Sequence, residues 1–228
     1  MIHSFLMIGQ SNMAGRGFPE EVEPIRSPRL FVLRNGRWQP MYTPVNCDRP
    51  FSGVSLAESF ALRYSERTGA ETGLIPCAEG GSSISEWEPG GLLFDHAVMQ
   101  ARLAARTSSL RGILWHQGEA DCAPDRWPFY EGRLREMLRA FRAALGEVPV
   151  VIGGLGDYLA GNTGDPALAN YQKVNAALRA VAESEPQAVF VPADGLTANP
   201  DALHFDAKSL RAFGERYEEA FARLTARG

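Results

Sequence analysis

The 228-residue sequence predicts an α/β protein in which helices cover both faces of a five-stranded parallel sheet. Short apolar runs, each long enough for one buried strand, alternate along the chain with amphipathic stretches of helical periodicity. Apolar residues make up 45% of the chain, which suffices for a large core, and the length fits one domain over residues 1–228. Strand–helix alternation of this kind favours a three-layer α/β/α sandwich.

Five apolar runs are predicted as buried parallel strands because they are short and rich in aliphatic and β-branched residues. They cover residues 4–8, 73–78, 112–116, 148–153 and 188–192. Residues 16–53 break the alternation, since they are rich in Pro, Gly and Arg. We interpret them as an insertion on the domain, with a hairpin turn at Asn35-Gly36.

Four amphipathic stretches are predicted as helices from apolar residues that recur every three or four positions. Their apolar positions are Leu56, Phe60 and Tyr64; Leu134, Leu138, Phe141 and Leu145; Leu168, Tyr171, Val174, Leu178 and Val181; and Leu210, Phe213, Tyr217, Phe221 and Leu224. The first helix should begin at the capping box formed by Ser55 and Glu58 and end at Gly69. Gly146 should end the second helix.

Composition argues against several classes of partner. The net charge is -4 and no Lys/Arg run occurs, so neither nucleic acid nor a membrane is an expected partner. No apolar run is long enough to span a bilayer. The first residues lack the basic segment of a signal peptide, so we interpret the start as mature. Cys47, Cys77 and Cys122 lack C-x-x-C spacing and are predicted to be buried reduced thiols of a cytoplasmic protein.

Polar motifs follow four of the predicted strands, where open α/β sheets bind ligands. They are Gly9-Gln10-Ser11, residues 79–87, residues 116–121 and, one loop after the last strand, Asp201-Ala202-Leu203-His204. A serine hydroxyl is a poor nucleophile unless a histidine, oriented by a carboxylate, accepts its proton. Ser11, His204 and Asp201 therefore suggest a serine esterase.

The motifs GQSNMAGRG, EGGSSISEW, WHQGEAD and DALHFD, in this order, resemble those of the SGNH-type hydrolases, which have a flavodoxin-like fold. Within them the chain is similar to the sialate O-acetylesterase and acetylxylan esterase branch, carbohydrate esterase family six. Most SGNH enzymes have Gly-Asp-Ser in the first block and Asn in the third. Gln10 and Gln117 stand at those places here.

The resemblance implies Ser11 as the nucleophile, His204 as the general base and Asp201 as the acid that orients it. It also implies an oxyanion hole formed by the backbone N–H groups of Ser11 and Gly80 and the side-chain amide of Gln117. Such donors stabilise the charge that develops on the carbonyl oxygen during ester hydrolysis. Gly81 is the alternative to Gly80.

Further residues are expected to contact the substrate or to support the site loops: Gln10, Asn12, Arg16, Gly81, Trp87 and Glu119. Trp87 is interpreted as either a packing residue or the floor of a sugar site, and Arg16 as either a contact to a polar substrate or a solvated side chain. Glu119 is the alternative partner of His204, although we expect it to anchor its own loop and help to hold Gln117. His116, Glu119 and Asp121 do not follow a recurrent zinc-binding spacing, so neither a metal nor another cofactor is expected.

The sequence therefore predicts a carbohydrate acetylesterase that acts on a small acetylated sugar or oligosaccharide, of acetylxylan or sialate type, through an acyl-enzyme intermediate. One alternative is a lipase- or thioesterase-like SGNH esterase acting on small acyl esters. A second is a non-catalytic carbohydrate-binding protein that keeps the fold. Neither the sugar nor an oligomeric state is assigned at this point.

Overall fold

The computed structural model describes residues 1–226, in which one seven-stranded sheet carries helices on both faces. The strands are β1 Ile2–Gly9, β2 Leu30–Arg34, β3 Arg37–Pro40, β4 Thr72–Pro76, β5 Ser108–His116, β6 Val150–Gly153 and β7 Ala188–Val191. The helices are α1 Ser11–Ala14, α2 Leu56–Thr68, α3 Leu92–Ala104, α4 Trp127–Leu145, α5 Tyr171–Ser184 and α6 Ala207–Thr225. The predicted three-layer architecture is confirmed.

The strand order is β3-β2-β4-β1-β5-β6-β7, and all neighbours are parallel except β2 and β3. The five predicted strands are β1, β4, β5, β6 and β7, but the predicted strand count is too low. The segment 16–53 contributes the other two strands because β2 pairs with the free edge of β4 and β3 then folds back on β2. Asn35 and Gly36, with φ values of 50° and 70°, form the predicted hairpin turn between them.

The continuous apolar character of β1 reflects burial on both faces of the sheet. Leu6 and Ile8 pack into the core beneath α3, α4 and α5, whereas Phe5 and Met7 pack into the core beneath α2 and α6. All four side chains are fully buried. The sheet is thus the middle layer of the sandwich, and its central strand is buried on both faces from Ser4 to Gly9.

The predicted start of α2 is present in the structure. The Ser55 N–H donates to Glu58 Oε1 at 3.0 Å, and Ser55 Oγ accepts the Ala57 N–H at 3.2 Å. The helix ends at Gly69, which has a φ of 70°. Helix α3 was not predicted, because Leu92 and Met99 are exposed and obscure the apolar face on which its buried residues lie.

The sheet order brings three of the sequence motifs together. Strand β1 lies between β4 and β5, and Gly9 at its end is paired with His116 at the end of β5. The fourth motif lies in the long loop that follows β7. Strand β7 is at an edge of the sheet, and this loop returns from it to the centre of the sheet. There, Asn199 Nδ2 donates to Arg16 O at 2.9 Å.

Two further observations concern the sequence predictions. Within residues 1–226, no helix combines the length and the apolar character needed to cross a bilayer. Cys77 and Cys122 are buried, and burial raises the pKa of both thiols, but Cys47 is exposed. The prediction of burial is wrong for Cys47, because this residue belongs to the surface segment 16–53.

Candidate active site

Ser11 lies at the point where β1 passes into a short helix. Gln10 has an extended backbone and precedes α1, and Ser11 is the first residue of that helix. The Gln10 N–H donates to His116 O at 2.9 Å, which holds the turn against β5. The serine is therefore placed at the carboxyl edge of the sheet, on rigid backbone between two central strands.

Ser11, His204 and Asp201 form a continuous hydrogen-bonded series. His204 Nε2 is 2.9 Å from Ser11 Oγ, and His204 Nδ1 is 2.6 Å from Asp201 Oδ2. Burial acts to raise the pKa of Asp201, but hydrogen bonds from the backbone and ring of His204 outweigh it and hold that pKa below its ordinary value. Asp201 is thus an ionised acceptor, which suits a group that orients an imidazole.

The loop that carries Asp201 and His204 is stabilised by its own turn. Asp201 Oδ1 accepts the N–H groups of Leu203 and His204, at 2.9 and 3.0 Å. Ala202 has a φ of 50°, in the left-handed region that residues with a side chain rarely adopt. Asn162 Nδ2 donates to the Asp201 and Ala202 carbonyls, and so holds the loop from outside.

Asn12 connects the serine helix to the histidine loop. Its Nδ2 donates to Leu203 O at 3.3 Å and its Oδ1 accepts the Phe205 N–H at 3.1 Å, so it holds both neighbours of His204. The same Nδ2 donates to Glu119 Oε1 at 2.6 Å. The one residue that follows Ser11 therefore fixes the distance between Ser11 and His204.

Glu119 does not contact His204. Its Oε1 lies 3.3 Å from His116 Nε2 and accepts from Asn12, and the side chain is almost fully buried. Burial acts to raise the pKa of Glu119, but the hydrogen bonds and charge of His116, together with the Asn12 amide, hold it below its ordinary value. Glu119 therefore supports the loops rather than orienting the imidazole.

Gln117 is not placed as the resemblance implies. Its Nε2 lies near three acceptors, Ser82 O at 3.0 Å, Asp121 Oδ2 at 2.6 Å and Gln10 Oε1 at 3.1 Å. A carbonyl and a carboxylate can only be met by the nitrogen of the amide, so the orientation of this side chain is unambiguous. Gln117 is also fully buried. Both its amide hydrogens are used inside the protein, and it does not face the cavity.

Gln10 has the opposite arrangement. Its Oε1 accepts from Gln117 Nε2 and from the backbone N–H groups of Gly118 and Ala120, at 3.1, 3.2 and 3.3 Å. Backbone N–H groups only donate, so the carbonyl of Gln10 must point towards them and its Nε2 must point elsewhere. Gln10 lines the cavity beside Ser11, and among residues 1–226 its Nε2 has no acceptor.

Of the two glycines, Gly81 offers the free donor. The Gly80 N–H donates to Asp48 Oδ2 at 2.9 Å, and a Cβ on Gly80 would come within 2.5 Å of the Arg16 guanidinium and 2.7 Å of Asp48. Gly80 is therefore required for close packing against this ion pair. Gly81 has a φ of 81°, lines the cavity, and its N–H finds no acceptor in the described part of the chain, as is also true of Ser11.

Trp87 and Arg16 are both held by contacts within the protein. Trp87 is fully buried, packs edge-on against Trp115 and donates to Ser82 Oγ at 3.0 Å. Its apolar environment, not a ligand, explains its presence in the motif. The Arg16 guanidinium lines the cavity but is buried in a pair with Asp48. Trp87 therefore cannot form the floor of a sugar site.

The cavity beside Ser11 has a volume of about 790 Å³. One wall contains Arg49 and Phe51 from the segment 16–53, and a second wall contains the loop 161–165. Sequence reasoning missed both walls. The only signal was the unusual composition of residues 16–53, because neither segment follows one of the predicted strands directly.

His116, Glu119 and Asp121 do not converge on a common point. His116 and Glu119 contact each other, whereas Asp121 Oδ2 accepts from Gln117 and from the Ile84 N–H. No group of three or more His, Cys, Asp or Glu side chains within residues 1–226 is arranged to hold a metal ion.

Comparison with known proteins relates the chain to carbohydrate esterases. A family model described as carbohydrate esterase, sialic acid-specific acetylesterase, matches residues 1–223. A probable carbohydrate esterase from Arabidopsis thaliana is 31% identical in a match that covers 51% of this chain and 54% of that protein, so the match spans about half of the relative's length.

The structural comparisons extend over nearly the whole chain. The X-ray structure of the same Arabidopsis thaliana protein has a TM-score of 0.85 at 25% identity, covering 97% of this chain and 98% of that one. NanS has a TM-score of 0.77 at 17% identity, covering 100% and 98%. A carbohydrate acetylesterase from Xanthomonas citri has a TM-score of 0.72 at 18% identity, covering 99% of this chain and 57% of that one. The last two similarities concern the fold.

Proposed function

This chain belongs to the carbohydrate esterase family of sialic acid-specific acetylesterases, and on that basis we propose that it is a serine esterase that removes acetyl groups from carbohydrate hydroxyls. The observation that carries the proposal is the series of hydrogen bonds from Asp201 through His204 to Ser11 beside an open cavity. A nucleophile, a base and an orienting acid in contact are what acyl transfer requires.

In the first half of the proposed reaction, His204 Nε2 accepts the Ser11 proton while Oγ attacks the acetyl carbonyl carbon. The carbonyl π electrons move to oxygen and form a tetrahedral intermediate. Its collapse breaks the bond to the sugar oxygen, which takes the proton from His204 and leaves as the free alcohol. Acetyl-Ser11 remains, and the Asp201 carboxylate stabilises the transient imidazolium throughout.

In the second half, water replaces the sugar. His204 accepts a proton from the water, whose oxygen attacks the acetyl carbon, and the collapse of the second intermediate returns that proton to Ser11 Oγ. Acetate is released and the resting state is restored. Each step moves one proton between His204 and an oxygen, so no further reactant is needed.

We assign the oxyanion donors to the backbone N–H groups of Ser11 and Gly81 and to Nε2 of Gln10. These groups line the cavity and have no acceptor among residues 1–226. Two of these donors lie on the backbone and the third on a side chain whose carbonyl is fixed by three hydrogen bonds, and donors already held in place stabilise a developing oxyanion without reorganisation. Gln117 then has a positioning role and does not contact the oxyanion. It donates to the Gln10 carbonyl at 3.1 Å and so helps to fix the direction of the Gln10 amide.

A long-chain lipase is the less suitable assignment. The cavity walls carry Arg16, Arg49 and Asp165 in addition to the three reacting residues, and these charged groups would be desolvated by an aliphatic chain. A short acetyl group needs little apolar surface, and the hydroxyls of its sugar can hydrogen-bond to polar walls.

The experiment that tests the proposal compares the wild-type protein with Ser11→Ala on a chromogenic acetyl ester. We expect turnover to fall by at least about 10³-fold, because the nucleophile is lost, while the near-ultraviolet circular dichroism stays native. An organophosphonate should label the wild-type protein at Ser11 in peptide mass mapping. Near-native turnover by the purified variant, or labelling at another residue, would refute the serine mechanism.

A further inference from the structure

The arginines of the cavity are already paired with carboxylates. Arg16 NH2 lies 2.6 Å from Asp48 Oδ2 and Arg16 NH1 lies 3.2 Å from Asp48 Oδ1, with 5% and 2% of the two side chains exposed. Such a bidentate pair offsets the charge of a guanidinium and uses both of its terminal nitrogens. Arg16 therefore has no free charge with which to hold an anionic substrate.

Arg49 is also paired with a carboxylate, although through a single hydrogen bond and at a more exposed position. Its NH1 donates to Glu79 Oε1 at 2.6 Å and to Asp48 O at 2.7 Å, and its NH2 donates to Gly80 O at 2.9 Å. Both terminal nitrogens of the guanidinium are thus used by protein acceptors. A substrate carboxylate that approached the remaining N–H groups of this side chain would meet a cation whose charge Glu79 already offsets.

The remaining charges of the cavity are negative. Carboxylates on its lining belong to Glu119, Asp165 and Asp201. They outnumber the two lining arginines, and the carboxylates of Asp48 and Glu79 lie directly behind those arginines. An anionic substrate that entered this cavity would be repelled by these carboxylates and would find both arginines already paired, which disfavours its binding. A hydroxyl, by contrast, can donate to a free carboxylate oxygen.

An apolar surface lies at the same opening. Phe51 is 70% exposed although it is a large aromatic side chain, and it lines the cavity. The Arg16 guanidinium lies over this ring, 5.3 Å from its centre, and forms a cation–π contact with it. An exposed ring beside a polar cavity is suited to the apolar face of a sugar ring whose hydroxyls point towards the carboxylates.

We propose that the sugar acetylated at its hydroxyl is a neutral saccharide that stacks on Phe51, and that acetylated sugar acids such as O-acetylated sialic acid are disfavoured. This inference rests on the proposed acetylesterase activity and specifies its substrate class. Among the described residues, the carboxylates of the cavity disfavour the anionic sugar acid, and the Phe51 ring favours stacking of the neutral sugar ring.

The test measures kcat/KM on three substrates: an acetylated xylo-oligosaccharide, an O-acetylated sialic acid, and the methyl ester of that sialic acid. The methyl ester removes the charge and keeps the sugar, so the pair isolates the electrostatic effect. We expect the methyl ester to be hydrolysed roughly tenfold or more better than the free acid. We also expect the neutral oligosaccharide to exceed the free acid by at least as much. Equal or better use of the free acid would overturn the proposal.

Two variants, Glu79→Gln and Phe51→Ala, test which contacts determine the preference between substrates. Glu79→Gln frees Arg49 and should raise kcat/KM on the free acid relative to its methyl ester. Glu66→Gln, which removes one acidic partner of Arg63 in an exposed pair on α2, is the matched control and should leave that ratio unchanged. Phe51→Ala should lower kcat/KM on the oligosaccharide more than on a chromogenic acetyl ester. If Glu79→Gln behaves like the control, or if Phe51→Ala affects both esters alike, the assigned contacts are wrong.

A chromogenic acetyl ester, which has neither a sugar nor a charge, distinguishes failure of the proposed substrate class from failure of the proposed acetylesterase activity. Activity on this ester together with equal use of the acid and its methyl ester overturns only the choice of substrate. Absence of activity on all four esters by the folded protein overturns the acetylesterase assignment itself.

Discussion

At the scale of single residues, two glutamines at neighbouring strand ends have different roles because their amides face different partners. Gln117 directs its nitrogen at acceptors in the interior, whereas Gln10 directs its carbonyl at two backbone donors. In the sequence both are glutamines that replace residues of the related blocks. Only the neighbours in space determine which amide hydrogen is left for a substrate.

The assignment of Gln10 is tested by Gln10→Glu. The variant keeps an oxygen for the N–H groups of Gly118 and Ala120 but replaces the amide donor by a carboxylate oxygen. We expect kcat to fall by about 10²–10³-fold, the usual effect of removing one oxyanion donor. Native circular dichroism would show that the loop contacts survive. Near-native turnover would exclude Gln10 as a donor.

A second prediction concerns the acid that orients His204. Asp201→Asn removes the charge that lies 2.6 Å from the ring and should lower turnover by up to about 10⁴-fold. Glu119→Gln should lower turnover much less than Asp201→Asn does, because a glutamine carbonyl can still accept the hydrogen bond from Asn12. Measuring kcat of both variants on one acetyl ester decides between them. The reverse order of effects would identify Glu119 as the acid.

At the scale of elements, the start of α2 fastens the nucleophile helix. Ser55 caps α2 and also donates from its Oγ to Met13 O at 2.7 Å, in the interior of the protein. Met13 belongs to α1, the four-residue helix that begins with Ser11. A helix this short has little stability of its own, so its position depends on contacts from longer elements.

Ser55→Ala should therefore destabilise the protein by about 1–2 kcal/mol, because it removes both the cap and the bond to Met13. Urea denaturation measures the free energy of unfolding. Ser27→Ala is the control, since Ser27 lies in a loop and should change stability by less than about 0.5 kcal/mol. Equal effects of the two substitutions would show that the cap has no special role.

At the scale of the whole molecule, the ion pair between Arg16 and Asp48 joins the two ends of the segment 16–53, and the Gly80 N–H after β4 donates to the same Asp48 carboxylate at 2.9 Å. Burial acts to raise the pKa of Asp48, but the hydrogen bonds and charge of Arg16, with bonds from Ser52 and the Gly80 N–H, hold it below the ordinary value of 3.8. The unfolded chain consequently binds a proton at higher pH than the folded protein does.

The sign of the effect on stability follows from this difference. The contribution of Asp48 is complete above its ordinary pKa and is lost as the pH falls through the lower pKa of the folded state. The wild-type protein should lose more unfolding free energy than Asp48→Asn does between about pH 6 and about pH 3. Urea denaturation of both proteins at the two pH values measures the loss. Equal losses would contradict the low pKa of Asp48.

Much of the architecture follows from local pattern. Continuous apolar runs predict five of the seven strands because those strands are largely buried between the two helical layers, and capping and stop residues predict both ends of α2. Helix α3 and the strands β2 and β3 were not predicted. Their patterns are weakened by exposed apolar residues in α3 and by the short, one-sided pairing of β3 at the sheet edge.

The sequence also determines which chemical groups are present: a serine after β1, and an aspartate and a histidine in a turn that their own spacing closes. It does not determine that this turn reaches Ser11, because β7 is separated from β1 by two strands. The tertiary structure decides this through Asn12 and Asn199, which join the returning loop to the residues after β1. It likewise decides which amide faces the cavity and which charges are paired, because hydrogen bonds between distant residues depend on distances in space and not on spacing along the chain.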